Sequence, residues 1–210
     1  MNMNGGFSMK IKVKNLSVQI ADGFMKMNSM PDDPEDSVVY GNECSTMTSF
    51  MLLFPISKEN VMPFGRLELI INGIHNSLAD DQGLIEVNSG KTKSGIDYIY
   101  SIIKTKKQPS GVQYTLRGHF NFNSKEPLEV LAFFDEAGIT GQRDAIIFEL
   151  ARHKNIVDKN MNGWMADPYS VDYKKGFLMN LSEQRKYDEH FPGHPLTELR
   201  KFIDFFIENN

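Results

Sequence analysis

Apolar and polar residues alternate along "MKIKVKN", with Met9, Ile11 and Val13 on one side and Lys10, Lys12 and Lys14 on the other. That period of two predicts a strand with one wet face, and the lysines suit an edge because they discourage unwanted pairing. A flexible start of Asn and Gly precedes it. A second short strand through Val18 and Ile20 runs into "ADGFMKM", where Asp22-Gly23 marks a turn. The stretch "MPDDPEDS", Met30 to Ser37, holds two prolines and four acids and predicts a loop. Apolar residues then resume, and "MTSFMLLFPI" from Met47 to Ile56 has the content of a buried strand ending near Pro55. Next the period changes. Leu67, Ile70, Ile71, Ile74 and Leu78 recur at helical spacing and predict an amphipathic helix that tolerates the internal Asn72-Gly73.

Four strand-like runs follow in succession: "GLIEVNS", "GIDYIYSIIK", "GVQYTLRGHFNF" and "PLEVLAFF", each separated by turn formers. They predict an antiparallel meander. In the third run Val112, Tyr114, Leu116, Phe120 and Phe122 share a core face, while Gln113, Thr115, Arg117, His119 and Asn121 share a polar one. The fourth run is apolar on both sides, from Leu128 to Phe134, and is expected to be central. "DEAGITGQRD" leads into a helix capped by Thr140 or Gly141, with Ile146, Ile147, Leu150 and Ala151 as its buried stripe. The fold class is therefore α+β: an antiparallel sheet packed with helices over residues 1–157, followed by a 158–210 extension of one aromatic loop and two helices. No internal repeat interrupts this order.

The order of strands, one helix, a four-stranded meander and one helix resembles the PsbP-like fold superfamily. "ADGFMKMN" precedes the loop, "TSFMLLFPI" precedes the first helix, and a loose "GF.KM" phrase runs from Gly23 to Met27. The resemblance covers about residues 9 to 157. That superfamily includes photosystem extrinsic subunits, a eukaryotic Ran-binding import factor and bacterial DcrB-type lipoproteins. What the resemblance implies is a domain of a kind that mostly acts by binding other proteins and not by catalysis; no functional motif of the superfamily maps residue by residue.

Whole-chain numbers narrow the function classes. With 210 residues, 40% hydrophobic and 24% charged, the chain can bury a sizeable core unaided. A net charge of −4 with scattered bases argues against nucleic acid, which demands a basic stripe. No apolar run reaches the roughly 20 residues that span a bilayer, and the first residues lack a signal-peptide core, so the expectation is a cytoplasmic, bacterial-type protein unless an N-terminal signal has been trimmed. The single Cys44 forbids an internal disulfide, and beside Glu43 at the start of a strand it lacks the setting of a nucleophile.

The densest chemical cluster is "DEHFPGH", Asp188 to His194. Its histidines have the i, i+4 spacing of two metal ligands, but Pro192 and Gly193 between them break the helix that spacing needs. The cluster reads as a connector, with Ser182 capping a short helix, Gly193 as the αL or turn residue, and Pro195 opening the last helix. That helix carries Leu196, Leu199, Phe202, Ile203, Phe206 and Ile207 on its buried stripe. His75 reads as a boundary residue of the first helix. No catalytic residue, metal or cofactor is assigned.

Two surfaces are nominated for a partner protein: the acidic loop with Asp32 and Asp33, and the aromatic segment with Trp164, Tyr169, Tyr173 and Phe177, whose rings either pin the chain or anchor a partner. The expected role is a non-enzymatic protein-binding domain, such as an adaptor, a chaperone-like factor or an immunity-type inhibitor, with a homo-oligomer left open. The alternative is a small-ligand enzyme or hydrolase that uses Arg117 and His119 on the polar sheet face, with Tyr98 or Tyr100 beside them, or the Asp188, His190 and His194 group.

Overall fold

Seven strands form one antiparallel sheet, in the order β3-β4-β5-β9-β8-β7-β6, and two more form a separate hairpin. The hairpin joins β1 (Ser8–Val13) to β2 (Leu16–Ala21). The large sheet contains β3 (Met25–Met27), β4 (Val38–Cys44), β5 (Met47–Pro55), β6 (Gln82–Lys91), β7 (Asp97–Lys106), β8 (Val112–Phe120) and β9 (Leu128–Glu136). The helices are α1 (Leu67–Ser77), α2 (Gln142–His153) and α3 (Pro195–Asn209). This computed structural model describes residues 8–122 and 126–210; the Asn- and Gly-rich start at residues 1–7 lies outside them. The α+β class and the meander β6-β7-β8-β9 stand as the sequence predicts, and β9 is the central strand. Two strands, β3 and β4, were not separable in the sequence, because the first is three residues long and the second is interrupted by Gly41 and Asn42.

One face of the sheet carries the main core. Met51 and Leu53 of β5, Tyr100 and Ile102 of β7, Leu116 and Phe120 of β8, and Val130 and Phe134 of β9 are almost fully buried there. The hairpin and α3 cover that face: Val13, Val18 and Ile20 join the same cluster as Leu196, Leu199, Phe202, Ile203 and Phe206. Pro195 at the first helical position opens α3, and the Nδ1 of His194 accepts the Leu196 N–H at 3.2 Å as its cap. At the other end the Asn210 side chain bonds both the N–H and the C=O of Gln19, tying the helix to β2.

Several sequence readings are corrected by what covers each face. The α1 stripe exists, but none of its residues is fully buried, because the sheet meets α1 mainly at its β6 margin. In α2, Ile147 and Ala151 are buried as expected, whereas Ile146 and Leu150 are about half exposed. Arg143 takes the missing place, almost fully buried. The cap near residue 180 is Asn180, not Ser182: its side chain accepts the Ser182 N–H, and Glu183 bonds back to the Asn180 N–H in a capping box. Gly193 is a turn residue without positive φ. Both short helices before it are 3₁₀ segments, Leu181–Glu183 and Arg185–His190.

Between α2, α3 and the sheet lies a buried ionic layer. Arg143 donates to the Ser182 carbonyl, Thr197 and Asp188. Asp188 also receives Arg200, which donates to Glu86 as well. Burial alone would push the Glu86 carboxyl up, but hydrogen bonds from Arg185 and Tyr100, with the charges of Arg185 and Arg200, hold it below its ordinary value of 4.5. Because folding lowers this pKa, the unfolded chain takes up the proton first. The stability that Glu86 contributes is therefore present above its ordinary value of 4.5 and is lost as pH falls below that value through the lowered folded-state pKa. Glu86→Gln should flatten the acid limb of a stability-versus-pH curve measured by urea unfolding; an unchanged acid limb would remove Glu86 from this role.

Candidate functional site

Along β3 the period of two sends Met25 and Met27 to the face opposite the main core, and the pairing register carries that pattern across the sheet. Met25 stands opposite Gly41, Gly41 opposite Phe50, and Phe50 opposite Phe133. The next row runs Met27, Val39, Leu52 and Leu131. Two cross-strand rows of apolar side chains thus reach from the sheet centre to its β3 edge. Phe50 and Phe133 stack with centroids 4.7 Å apart. Val39, Leu52 and Phe54 form the buried floor of a small separate cluster.

The outer ends of these rows are open. Met25 is 72% exposed, Met27 50% and Met30 71%, values far above those of the core methionines Met47 and Met51. Together with Phe50 they wall a groove of about 730 Å³. At its base a Cβ on Gly41 would meet the Met27 sulfur, which lies across the strand at that point, and the flexible Met27 side chain would have to shift aside. The loop that follows β3 closes one side, held by the Asp33 carboxylate accepting the Met30 N–H at 2.6 Å and by the Asp33 N–H donating to the Met30 carbonyl. Unbranched thioether side chains adapt their shape to different apolar partners at little cost, so such a surface suits binding more than packing.

Elsewhere the same face is covered. Residues 56–66 run over β8 and β9, where the Met62 N–H donates to His119 Nδ1 at 2.8 Å. His119 is therefore fully buried, a correction to the polar face read from the alternation. With Nδ1 accepting, the ring proton sits on Nε2, 3.2 Å from Glu129 but without the alignment of a hydrogen bond. Burial raises the Glu129 carboxyl, and contacts with His119 and Arg117 outweigh it, leaving its pKa below the ordinary value. Arg117 remains half exposed and is held by the same Glu129. Tyr98 and Tyr100 lie on the opposite face, in the main core, so no tyrosine joins this group.

The aromatic segment is engaged internally at every ring. Trp164, 8% exposed, packs edge-on against Phe148 at 5.0 Å. The Tyr169 hydroxyl meets both backbone groups of Val87 on the edge strand β6. Tyr173 stacks on His75 at 3.9 Å and donates to the His75 carbonyl, while His75 also contacts the buried Asp167 at 2.9 Å. Phe177 lies beneath the Lys104 ammonium and its N–H donates to the Gln82 carbonyl. The segment thereby seals the β6 edge, which leaves β3, among the described residues, as the edge strand without a covering segment.

The "DEHFPGH" cluster is likewise committed. Asp188 binds Arg143 and Arg200, His194 caps α3, and the Gly193 carbonyl accepts from Thr46. A cleft of about 250 Å³ opens beside Glu136, His190 and His194. Its Glu136 carboxylate already receives the Val112 and Gly141 N–H groups, and burial, which raises its pKa, is outweighed by these and by His194. Cys44 ends β4 in the open, with its thiol pKa lowered first by the Thr46 hydroxyl. Among the described residues, no group of three or more His, Cys, Asp or Glu side chains is placed to hold a metal ion.

No family model and no curated protein matches the sequence. Solved structures do. The chain is similar to the Ran-binding protein Mog1p of Saccharomyces cerevisiae, at 5% identity over 69% of this chain and 84% of that one, with a TM-score of 0.45. It is similar to PA94 of Pseudomonas aeruginosa, a protein of unknown function, at 6% identity over 72% and 94%, with a TM-score of 0.37. The cyanobacterial PsbP of Synechocystis sp. PCC 6803 gives 12% identity over 71% and 91%, with a TM-score of 0.39. The last of these is a PsbP by name, the name of the superfamily whose element order this chain resembles. The likeness is one of element order and carries nothing about activity.

Sequence reasoning passed over Met25, Met27 and Met30, reading the first two only as part of a turn-flanked phrase. The signal was there: three of the chain's 12 methionines fall within six residues. Of the nominated partner residues, Asp33 lines the groove and Asp32 adjoins it.

Proposed function

We propose that the protein is a non-enzymatic binding module that receives an apolar segment of a partner protein in the groove walled by Met25, Met27 and Phe50. One observation carries this reading: the apolar rows that end as packed core in the sheet centre continue, in register, to an uncovered edge where three methionines stand exposed. A patch of that kind on a folded domain marks an interaction surface. Adaptor, chaperone-like and inhibitor roles all fit such a module. Of the groups named for the enzyme alternative, Arg117, His119, Asp188 and His194 are each tied to an internal partner, while His190 lines the cleft beside Glu136.

Selection of peptides from a displayed library against the wild-type protein tests the proposal. Selected binders should crosslink to β3–β5, and Met25→Ser/Met27→Ser/Phe50→Ser should weaken them by about tenfold or more, as expected for loss of apolar anchors. All three positions are exposed, so folding should survive. Binders that crosslink elsewhere and ignore the triple variant would end the proposal.

A further inference from the structure

We infer that the segment received by this groove is cationic as well as apolar, with large apolar side chains flanked by Lys or Arg. The inference rests on the groove being the docking surface and specifies its occupant through the charge on the rim. Asp33 lines the opening, and Asp32 and Glu35 flank it in the same turn and are exposed. Glu43, on β4, lines the far side and is exposed. Lys26 is the one basic residue in the lining.

Among the described residues, other exposed acids, such as Glu68, Asp80 and Asp172, also lack a cation; what sets these carboxylates apart is that their unpaired charge stands at an apolar groove. Asp36, in the same turn, is paired with Lys14 at 3.3 Å. Across the rest of the sheet the acids that border apolar surface are matched: Glu129 with Arg117, Asp135 with Lys107, Glu86 with Arg185 and Arg200. Among the described residues, no Lys, Arg or His lies within ion-pair distance of Asp32, Asp33, Glu35 or Glu43, and Asp33 uses only one carboxylate oxygen on Met30. Unpaired negative charge around an apolar floor selects a partner of opposite sign and rejects an acidic one, and it speeds encounter in a salt-dependent way.

The test uses three labelled synthetic peptides of equal length and the full chain, with binding read by fluorescence anisotropy. One peptide is an amphipathic Leu/Lys repeat, the second replaces Lys with Glu, and the third replaces Leu with Ser. The wild type should bind the Leu/Lys peptide about tenfold tighter than either other peptide, with affinity falling as salt rises. Asp32→Lys/Glu43→Lys, at two exposed positions, should turn the preference toward the Leu/Glu peptide. Equal binding of the Leu/Lys and Leu/Glu peptides, with Met25→Ser/Met27→Ser weakening both, would overturn the cationic inference and leave the groove as the docking surface. Binding unaffected by the serine variant would bring down the docking surface itself. A concentration-dependent dimer that the Leu/Lys peptide dissociates would assign the groove to a second copy of the chain and overturn the inference as well.

Discussion

A chain ending at Val157 is expected to stay unfolded, although it contains every strand of the sheet and two of the three helices. The reason is the face that α3 covers. Leu196, Leu199, Phe202, Ile203 and Phe206 are at most 2% exposed and pack among the inner side chains of β5, β8 and β9. Phe206 alone lies 4.6 Å from Phe120, centroid to centroid. Burying a large apolar side chain is worth about 1.5–3 kcal/mol, so these five contribute roughly 7–15 kcal/mol, an overestimate to the extent that the unfolded chain already buries some of this surface. That is comparable with the whole stability of a typical domain, about 5–15 kcal/mol. Circular dichroism and urea unfolding of residues 1–157 should show no cooperative transition. Adding residues 158–210 in trans should restore one in part. A cooperative transition in the short chain alone would show that the sheet face tolerates exposure. Phe206→Ala in the full chain reads the same effect more gently, at about 3–5 kcal/mol.

Lys104→Met should cost about 3–5 kcal/mol, because it strands a buried carboxylate. The Lys104 ammonium sits 2.8 Å from Glu183 Oε2, and the two side chains are 0% and 1% exposed. Glu183 in turn accepts the Asn180 N–H at 2.7 Å and the Tyr114 hydroxyl at 3.0 Å. Burial, reinforced by the Glu183 charge, pushes the Tyr114 phenol well above its ordinary value, so it remains the donor. Without Lys104 the carboxylate keeps two donors and loses its counter-charge in a site closed to water. Replacing both partners, as Lys104→Met/Glu183→Gln, removes the stranded charge and should recover a good part of the loss. Urea unfolding of the two single variants and the double variant gives the coupling directly. A single variant within about 1 kcal/mol of wild type would mean that water reaches the pair after all.

Much of this architecture is legible in periodicity. Alternating Met9, Ile11 and Val13 mark β1, and Val112, Tyr114 and Leu116 mark the inner face of β8. Pro195 and the apolar stripe behind it mark α3. Short-range geometry determines these features, since the strand repeat of two and the helix repeat of 3.6 act on residues a few positions apart. The same reasoning dismissed "DEHFPGH" as a metal site from Pro192 and Gly193 alone; in the fold, Asp188 and His194 hold the connector and cap the helix.

Local periodicity assigns residues to a face; what lies over that face follows from how distant segments pack. His119 alternates with Arg117 yet is buried, because residues 56–66 cross above it. Arg143 occupies a buried helical position because Ser182, Asp188 and Thr197 arrive from 39 to 54 residues away to satisfy it. Met25, Met27 and Phe50 line one groove only because β3, β4 and β5 pair in a particular register, and because no other segment among the described residues covers that end of the sheet. Local spacing cannot encode such choices, since they depend on contacts between segments far apart in the chain, whose relative placement is fixed by the packing of the whole core.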